Sequence, residues 1–246
     1  MIGERLKLAR AAAVLSLRGL EKRFEGLVTA QAIGKYERNE MMPSSSVLIA
    51  LARALKVTEE YLLNPAAIDL VAVEFRKKKL TSARETAEVQ ARILSEVERY
   101  LEIEQILAVH TPEVFPAKVR PRVRSVEEVD DAAKELRKRW RLGDDAIPNL
   151  CEFLEEKGIK VCAVALPDNV SGVQATVKSA DGAGVPVIVV NANDPGERQR
   201  FTVAHELGHL YLDIPKQVDP EPLCYRFAGA FLVPGQMLQK EVGDYR

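Results

Sequence analysis

Two of the chain's three histidines lie in one short segment, His205-Glu206-Leu207-Gly208-His209. Residues four apart in a helix share one face about one turn apart, so both imidazoles can meet a single metal ion. Zinc takes neutral histidine nitrogens in tetrahedral sites that keep one position open. Because Glu206 follows the first histidine, its carboxylate lies beside that position, where it can take a proton from water and deliver it to a leaving amine. The segment therefore predicts a zinc-dependent hydrolytic site.

Coincidence and a structural or inactive metal helix are the alternatives for this motif. Histidine is scarce in the sequence, and His110 alone lies outside the motif, which disfavours coincidence. His110 itself, in a proline-rich stretch, is predicted to be solvated or packed. A buried helix is predicted by the apolar residues around the motif, which are Phe201, Val203, Ala204, Leu207, Leu210 and Leu212.

A zinc site of this kind needs a third protein ligand from outside the motif. The candidates are Asp213, Asp219 and Glu221. Asp213 lies one turn further along the same helix, which directs it away from a metal centred between the two histidines. Glu221 begins the next predicted helix, and an antiparallel helix pair returns that first turn toward the site. The geometry favours Glu221 but leaves Asp213 and Asp219 open.

The elements around the motif predict an α+β module over residues 125–246. Ser125-Val126-Glu127-Glu128 has the pattern of a capping box that starts a helix. A second helix is predicted over 148–157, ended by Gly158. Strands are predicted at 159–164, 173–177 and 187–191, in a small and mostly antiparallel sheet. Asp194-Pro195 then begins the long helix that carries the motif.

The segments that resemble the ImmA/IrrE metallopeptidase family are residues 197–210, Phe227-Ala228 and Phe231-Leu232-Val233-Pro234. The resemblance extends back to about Ser125. It implies a gluzincin-like zinc site with His205, His209 and Glu221 as zinc ligands, and Glu206 as the catalytic base.

Two residues beside this site depart from the family pattern. Cys224 and Tyr225 stand where the family usually has Ala and then Asn or Asp. Core packing is the expected role of Tyr225, and a hydrogen bond to a ligand or an oxyanion is the alternative. The departure concerns contacts around the metal ligands rather than the ligands themselves.

Residues 1–65 predict a separate all-α domain of five short helices. Ser16 and Thr29 are predicted to cap the second and third helices. Tyr36 is predicted to lie in the core and Glu37 to form an internal ion pair. Two short helices joined by a tight turn are typical of helix-turn-helix DNA-binding proteins.

The segments that resemble the Xre/Cro-type repressor family include Arg5-Leu6, Ala9-Arg10, Leu15-Ser16 and residues 33–38. The resemblance implies a five-helix domain, usually dimeric, that reads double-stranded operator DNA with its third helix. The implied DNA-binding positions are Arg18, Thr29, Ala30, Gln31, Lys35 and Arg38. Gln31 can pair with adenine and Lys35 with guanine or phosphate, while arginines contact phosphates. The alternative is a dimerisation or protein-binding module that has lost DNA binding.

The net charge of −1 is the sum of a basic front part of the chain, residues 1–124, and an acidic back part, residues 125–246. Residues 1–65 carry 10 Lys and Arg against 7 Asp and Glu, a net +3, and residues 66–124 carry 11 against 9, a net +2. Residues 125–246 carry 14 against 20, a net −6. The total therefore does not exclude DNA binding, and the asymmetry indicates two modules with different partners.

Composition excludes several classes of protein. With 47% hydrophobic and 29% charged residues the chain can form real cores, so disorder throughout is excluded. No apolar run approaches the roughly 18 residues of a membrane span, and the first residues lead into a charged helix rather than a secretion signal. Three cysteines without such a signal argue against a disulfide scaffold. We therefore expect a cytoplasmic protein without membrane contacts.

Residues 66–124 are predicted to be a helical and proline-rich linker. A long amphipathic helix is predicted over 81–108, for core or dimer packing. The basic run at 76–79 predicts a solvated helix face, with a DNA contact as the alternative. An extended strap with basic side chains at 118–124 is predicted to dock on acidic surface, with a phosphate contact as the alternative.

Together the two resemblances predict an α+β DNA-binding transcription regulator that carries a zinc endopeptidase. Its substrate would be an Xre-type repressor, in the same chain or in a partner, and its genes those of stress, phage immunity or mobile elements. The strand at 187–191 is predicted to hold an extended substrate by strand addition. A ligand- or partner-sensing repressor without proteolysis and an antitoxin-like regulator are the alternatives. The chain ends at Arg246, whereas many members of the family continue, which is compatible with truncation or processing.

Overall fold

The structure is a computed structural model that describes residues 2–24, 27–63, 68–74, 83–108, 115, 120–179 and 184–243. The basic run at 76–79, His110 and Lys118 lie outside the described residues. The chain divides into two compact units, of which the first is Met1–Val71, Lys77–Val109 and Val177–Gly184 and the second is Ala72–Arg76, His110–Thr176 and Val185–Arg246. The domain boundaries expected at residues 65 and 124 stay predictions.

Five short helices open the first unit, as the sequence predicts. They are α1 (Ile2–Ala12), α2 (Leu17–Glu21), α3 (Ala30–Glu37), α4 (Ser45–Leu55) and α5 (Glu59–Leu63), with a 3-10 turn at Lys22–Phe24. The predicted caps are confirmed, because the Ser16 hydroxyl accepts from Gly19 N–H and the Thr29 hydroxyl from Ala32 N–H. Leu6, Leu20, Ile33, Leu51 and Leu62 are fully buried and form the centre of the core.

Ion pairs join the helices of the first unit. Arg10 donates two hydrogen bonds to the Glu37 carboxylate, at 2.5 and 2.9 Å, which confirms the internal ion pair predicted for Glu37 and joins α1 to α3. The predicted long helix is present as α6 (Ala83–Ile106), and it packs on α1. There the buried Arg5 pairs with the buried Glu98. Desolvation opposes the charge of Arg5, but the Glu98 carboxylate raises the pKa of the guanidinium overall.

The second unit contains most of a small sheet and five helices among its described residues. The helices are α7 (Val126–Arg139), α8 (Leu150–Glu156), α9 (Gly196–Tyr211), α10 (Pro220–Leu232) and α11 (Gly235–Val242). The strands are β1 (Ile68–Glu74), β2 (Lys160–Val164), β3 (Gly172–Ser179) and β4 (Gly184–Asn191), in the order β1-β3-β4-β2. Helix α7 begins where predicted, but the Ser125 side chain makes no capping bond, and Glu128 accepts from Arg124 N–H instead. The α+β class is confirmed.

The sheet, which the sequence predicted to be mostly antiparallel, is mixed and includes one parallel pair. β2 and β4 run parallel, with Lys160 opposite Val187 and Val164 opposite Asn191. β3 and β4 are neighbours joined across residues 180–183, a connection too short for a parallel crossover. The parallel pair arises because the chain passes from β2 to β3 and returns through β4, which lies between them.

The long helix α9 lies at the centre of the second unit's core. It packs against α10, and α10 in turn packs against α7. Phe227 and Phe231 of α10 are fully buried, and their rings stack 5.6 Å apart. The buried Arg137 of α7 donates to the carbonyl oxygen of Phe231 at 2.6 Å, and desolvation lowers the pKa of this guanidinium. None of the described helices is long and apolar enough to cross a membrane.

Candidate metal centre and DNA-reading face

Helix α9 holds both histidines of the motif in a largely buried position. His205 and Glu206 are each 4% exposed, and His209 is half-buried. The Nε2 atoms of His205 and His209 lie 3.3 Å apart, and their rings are 5.0 Å apart between centroids. The four-residue spacing therefore brings the two ring nitrogens together on one face, as the helical period requires.

Glu221 approaches this face from the first turn of α10. Its Oε2 lies 3.8 Å from His205 Nε2. Ligand atoms of His205, His209 and Glu221 all lie within 4.8 Å of one another. Among the residues that the structure describes, this is the one group of three or more side chains placed to hold a metal ion.

The other two candidates for the third ligand, Asp213 and Asp219, lie outside the group of metal-ligand side chains. Asp219 is the N-cap of α10, where its side chain accepts from the Glu221 N–H at 3.1 Å. Asp213 is exposed, and its backbone forms an isolated bridge with Arg122. Its N–H donates to Pro121 and its carbonyl accepts from Val123. Neither aspartate belongs to the group formed by the two histidines and Glu221.

The spacing of the donor atoms fits zinc. Tetrahedral bonds of about 2.0–2.2 Å place neighbouring ligand atoms roughly 3.3–3.6 Å apart. The observed separations are close to this range, at 3.3 Å between the Nε2 atoms of His205 and His209 and 3.8 Å from His205 Nε2 to Glu221 Oε2. Two neutral nitrogens and one carboxylate oxygen are also a donor set that zinc uses in catalytic sites. The side chains thus suit a zinc ion with one position left for water.

Gly172, the first residue of β3, lies close to Glu206 and Thr202 of α9, and no motif in the sequence indicates this contact. A Cβ atom on Gly172 would lie 2.3 Å from the Thr202 methyl group and 3.3 Å from Cγ of Glu206. It would also lie 3.2 Å from the Val189 carbonyl oxygen of β4. Only glycine allows β3 to approach α9 so closely. A glycine at the start of a strand is the available signal, since it often marks such an approach.

Tyr225 is placed differently from its predicted position in the core. It is 52% exposed, and its ring lies 4.4 Å from the His205 ring, at an interplanar angle of 51°. Its other neighbour is Phe201 of α9, stacked at 5.9 Å. The core position is taken by Cys224, which is fully buried. Tyr225 therefore borders the candidate metal centre rather than the core.

Helix α3 presents the predicted DNA-contacting side chains on one exposed face. Gln31 and Lys35 are exposed, while Ile33 and Tyr36 are buried, as the core role predicted for Tyr36 requires. Arg18, on α2, is exposed as well. Helical spacing thus separates a face that anchors α3 from a face that is available to DNA.

The remaining predicted DNA contacts already have protein partners or limited exposure. Thr29 is exposed but its hydroxyl caps α3, and Ala30 is half-buried. The exposed Arg38 donates to both carboxylate oxygens of Glu40, at 2.6 and 2.9 Å. A phosphate contact from Arg38 would therefore compete with this ion pair.

Helix α2 packs against α3 at Gly34. A Cβ on Gly34 would lie 3.7 Å from a methyl group of Leu17, and 3.3 Å from an Arg38 nitrogen. Leu17, on the side of α2 that meets α3, thus contributes to helix packing. The two helices are thus in apolar contact behind the exposed polar face of α3.

The strand expected to bind an extended substrate is not available. That strand, at 187–191, lies in β4, which has β3 on one side and β2 on the other. Its residues Val187 to Asn191 are buried. An interior strand has its backbone groups paired on both sides, so it cannot add a further strand. The prediction of strand addition at 187–191 is therefore wrong.

Comparison with known proteins identifies two domains. Residues 6–62 match the helix-turn-helix family model, and residues 154–246 match the model of the IrrE N-terminal-like domain. Neither a curated protein nor a solved structure matches the chain. The first match supports a DNA-binding regulator and the second a metallopeptidase-like domain. The chain thus joins an N-terminal helix-turn-helix domain of the Xre type to a C-terminal domain of the IrrE/ImmA-like type.

Proposed function

We propose that this protein is a transcription regulator with a zinc-dependent endopeptidase in the same chain. It binds double-stranded operator DNA through α3 and cleaves an Xre-type repressor, in its own chain or in a partner. The regulated genes are those of stress response, phage immunity or mobile elements, and the protein acts in the cytoplasm as a homodimer. The observation that carries the proposal is the meeting of His205, His209 and Glu221, with the buried Glu206 next to the first histidine.

The residues of α9 and α10 divide the chemistry between them. His205, His209 and Glu221 would hold zinc, which when bound polarises a peptide carbonyl and makes water more acidic. Glu206, excluded from the ligand group but adjacent to it in sequence, is the general base that takes the proton from water. The same carboxyl group then donates that proton to the leaving amine. Burial of α9 restricts the movement of His205 and Glu206, while His209 and Glu221 stay partly exposed to water and substrate.

Replacement of Glu206 tests the proposed catalysis. The full chain, loaded with zinc, is incubated with candidate repressors and with a second copy of itself carrying an inactivated site, and fragments are identified by mass spectrometry. We expect Glu206→Gln to abolish cleavage while zinc stays bound. Glu197→Gln is the matched control, because Glu197 is an exposed glutamate at the start of the same helix. Equal cleavage by wild type and Glu206→Gln would refute the catalytic role.

The same experiment separates the enzyme from a sensor. A zinc-loaded chain that binds operator DNA and cleaves none of the candidates would favour a repressor that senses a ligand or a partner. A toxin-like gene beside the coding sequence would favour an antitoxin-like regulator, and a separate repressor gene would favour the peptidase.

DNA binding by α3 is tested on operator candidates from the chain's own promoter region. We expect Gln31→Ala to weaken specific binding, because a bidentate contact to a base is worth about 1–3 kcal/mol. Lys56→Ala is the control, since Lys56 is an exposed lysine beyond the end of α4. Sedimentation of the free protein tests the dimer. Specific binding that is unchanged by Gln31→Ala would remove α3 from the DNA interface.

A further inference from the structure

An exposed aromatic residue covers one of the proposed metal ligands. Tyr225 lies four residues after Glu221 on α10, so the two side chains share one face of that helix. Although 52% exposed, the tyrosine ring lies 4.4 Å from the His205 ring. His205 itself is only 4% exposed. The same face of α10 therefore brings both a ligand carboxylate and an aromatic cover to His205.

A second aromatic residue supports Tyr225 from the other helix. Phe201 lies four residues before His205 on α9, and its ring stacks on Tyr225 at 5.9 Å and 23°. Aromatic pairs at such separations stabilise a structure beyond the effect of area burial. Tyr225 thus sits between Phe201 and His205, in a row of three rings that spans α9 and α10.

Packing of this kind bears directly on metal affinity. A histidine binds a metal well when its imidazole is already held in the required orientation. The ring of Tyr225 lies against the His205 ring, and His205 Nε2 is 3.3 Å from His209 Nε2 and 3.8 Å from Glu221 Oε2. Half of the tyrosine surface remains in water, so burial in the core does not explain its position.

We propose that Tyr225 is a positioning residue that holds His205 for metal binding by contact between the two rings. The inference rests on the proposed zinc site and deepens it. The ring, rather than the phenol hydroxyl, performs this role, so phenylalanine can replace tyrosine.

Zinc affinity of substituted full-length chains tests the proposal without relying on activity. Competition with a chromophoric chelator gives the dissociation constant, and the visible spectrum of the cobalt-substituted protein reports ligand geometry. We expect Tyr225→Phe to bind zinc within about twofold of wild type, and Tyr225→Ala to bind about 10–100-fold more weakly with an altered cobalt spectrum. Tyr225→Leu, which keeps most of the side-chain volume, should resemble Tyr225→Ala.

Arg226→Ala is the matched control for a general loss of packing. Arg226 is the next residue of α10, and it donates to Asp130 of α7 at 2.7 and 2.5 Å. Its loss removes a contact between α10 and α7 and should leave zinc affinity unchanged. Wild-type zinc affinity and cobalt spectrum in Tyr225→Ala would overturn the proposal, as would an equal loss in Tyr225→Phe. A wild-type chain that binds no zinc would overturn the metal centre itself.

Discussion

Helix α3, with its proposed DNA contacts, and helix α9, with the candidate metal ligands, differ in where their functional side chains lie relative to the core. On α3 the proposed contacts Gln31 and Lys35 are exposed, while a separate face anchors the helix. On α9 the proposed functional side chains His205 and Glu206 are themselves buried. DNA contacts can therefore be changed with little effect on folding. At the candidate metal centre, substitution of the buried His205 or Glu206 also changes side chains that pack in the core.

The largest effect on stability is expected from loss of the ion pair between Arg10 and Glu37, which joins α3 to α1. The Arg10–Glu37 pair is well shielded, with side chains 16% and 8% exposed. Arg10→Ala leaves a shielded carboxylate without its partner and should lower the free energy of unfolding by about 3 kcal/mol. Chemical denaturation measures this change. Arg38→Ala is the matched control, because its pair with Glu40 is 59% and 50% exposed and should contribute little to stability. Equal losses in the two variants would contradict an anchor built on the buried face.

Zinc should stabilise the C-terminal domain and leave the N-terminal one unchanged. A ligand present at roughly 100 times its dissociation constant adds about 2.7 kcal/mol to the folded state that binds it. Scanning calorimetry with zinc and with a chelator measures the shift in each transition. Glu221→Ala should remove the shift. A zinc-dependent shift confined to the unfolding transition of the helix-turn-helix domain would contradict a zinc site in the C-terminal domain.

A side chain placed between β3 and α9 should lower the free energy of unfolding by about 1–3 kcal/mol, because the two elements approach each other closely. Gly172→Ala places a methyl group against Thr202 and the Val189 carbonyl, so the Thr202 side chain or the backbone of β3 or α9 must shift. Denaturation should show the loss of stability, and chelator competition a weaker zinc site. Gly196→Ala is the control, because a Cβ there meets nothing within 4 Å. An unchanged zinc affinity in a stable Gly172→Ala chain would show that Glu206 and its neighbours tolerate the shift.

The smallest effect on stability is expected on the exposed face of α3. Lys35→Ala should change the free energy of unfolding by less than about 0.5 kcal/mol, because the side chain lies in water. DNA affinity should nevertheless fall, and the salt dependence of binding should decrease by about one counterion if Lys35 contacts a phosphate. Binding measured across salt concentrations tests this. Unchanged affinity and slope would place the DNA interface elsewhere.

Sequence patterns predicted the features that depend only on interactions among neighbouring residues. The cap at Thr29 and the burial of Tyr36 follow from hydrogen bonding and helical period within a few residues. The His205–His209 spacing likewise needs only one helix. Glu221 required the return of a second helix, and residue spacing alone left it among three candidates.

Long-range placement accounts for what the sequence did not reveal. Pairing of β4 with both β2 and β3 depends on the path of the chain, so the predicted free strand at 187–191 is an interior one. The period of α10 puts Tyr225 next to the buried Cys224, and which of them faces the core depends on how α10 lies on α9. Gly172 gives only a local signal in the sequence, because its close contact with Thr202 depends on how β3 lies on α9.

The most direct test of the central claim is the zinc content of the purified chain and its single-residue variants. After equilibration with zinc and removal of excess, elemental analysis should give one zinc per chain for wild type. His110→Ala, which changes the histidine outside the motif, should also keep one zinc. His205→Ala and Glu221→Ala should lose it. A wild-type chain without zinc, or a Glu221→Ala chain that keeps it with unchanged affinity, would contradict a metal centre shared by α9 and α10.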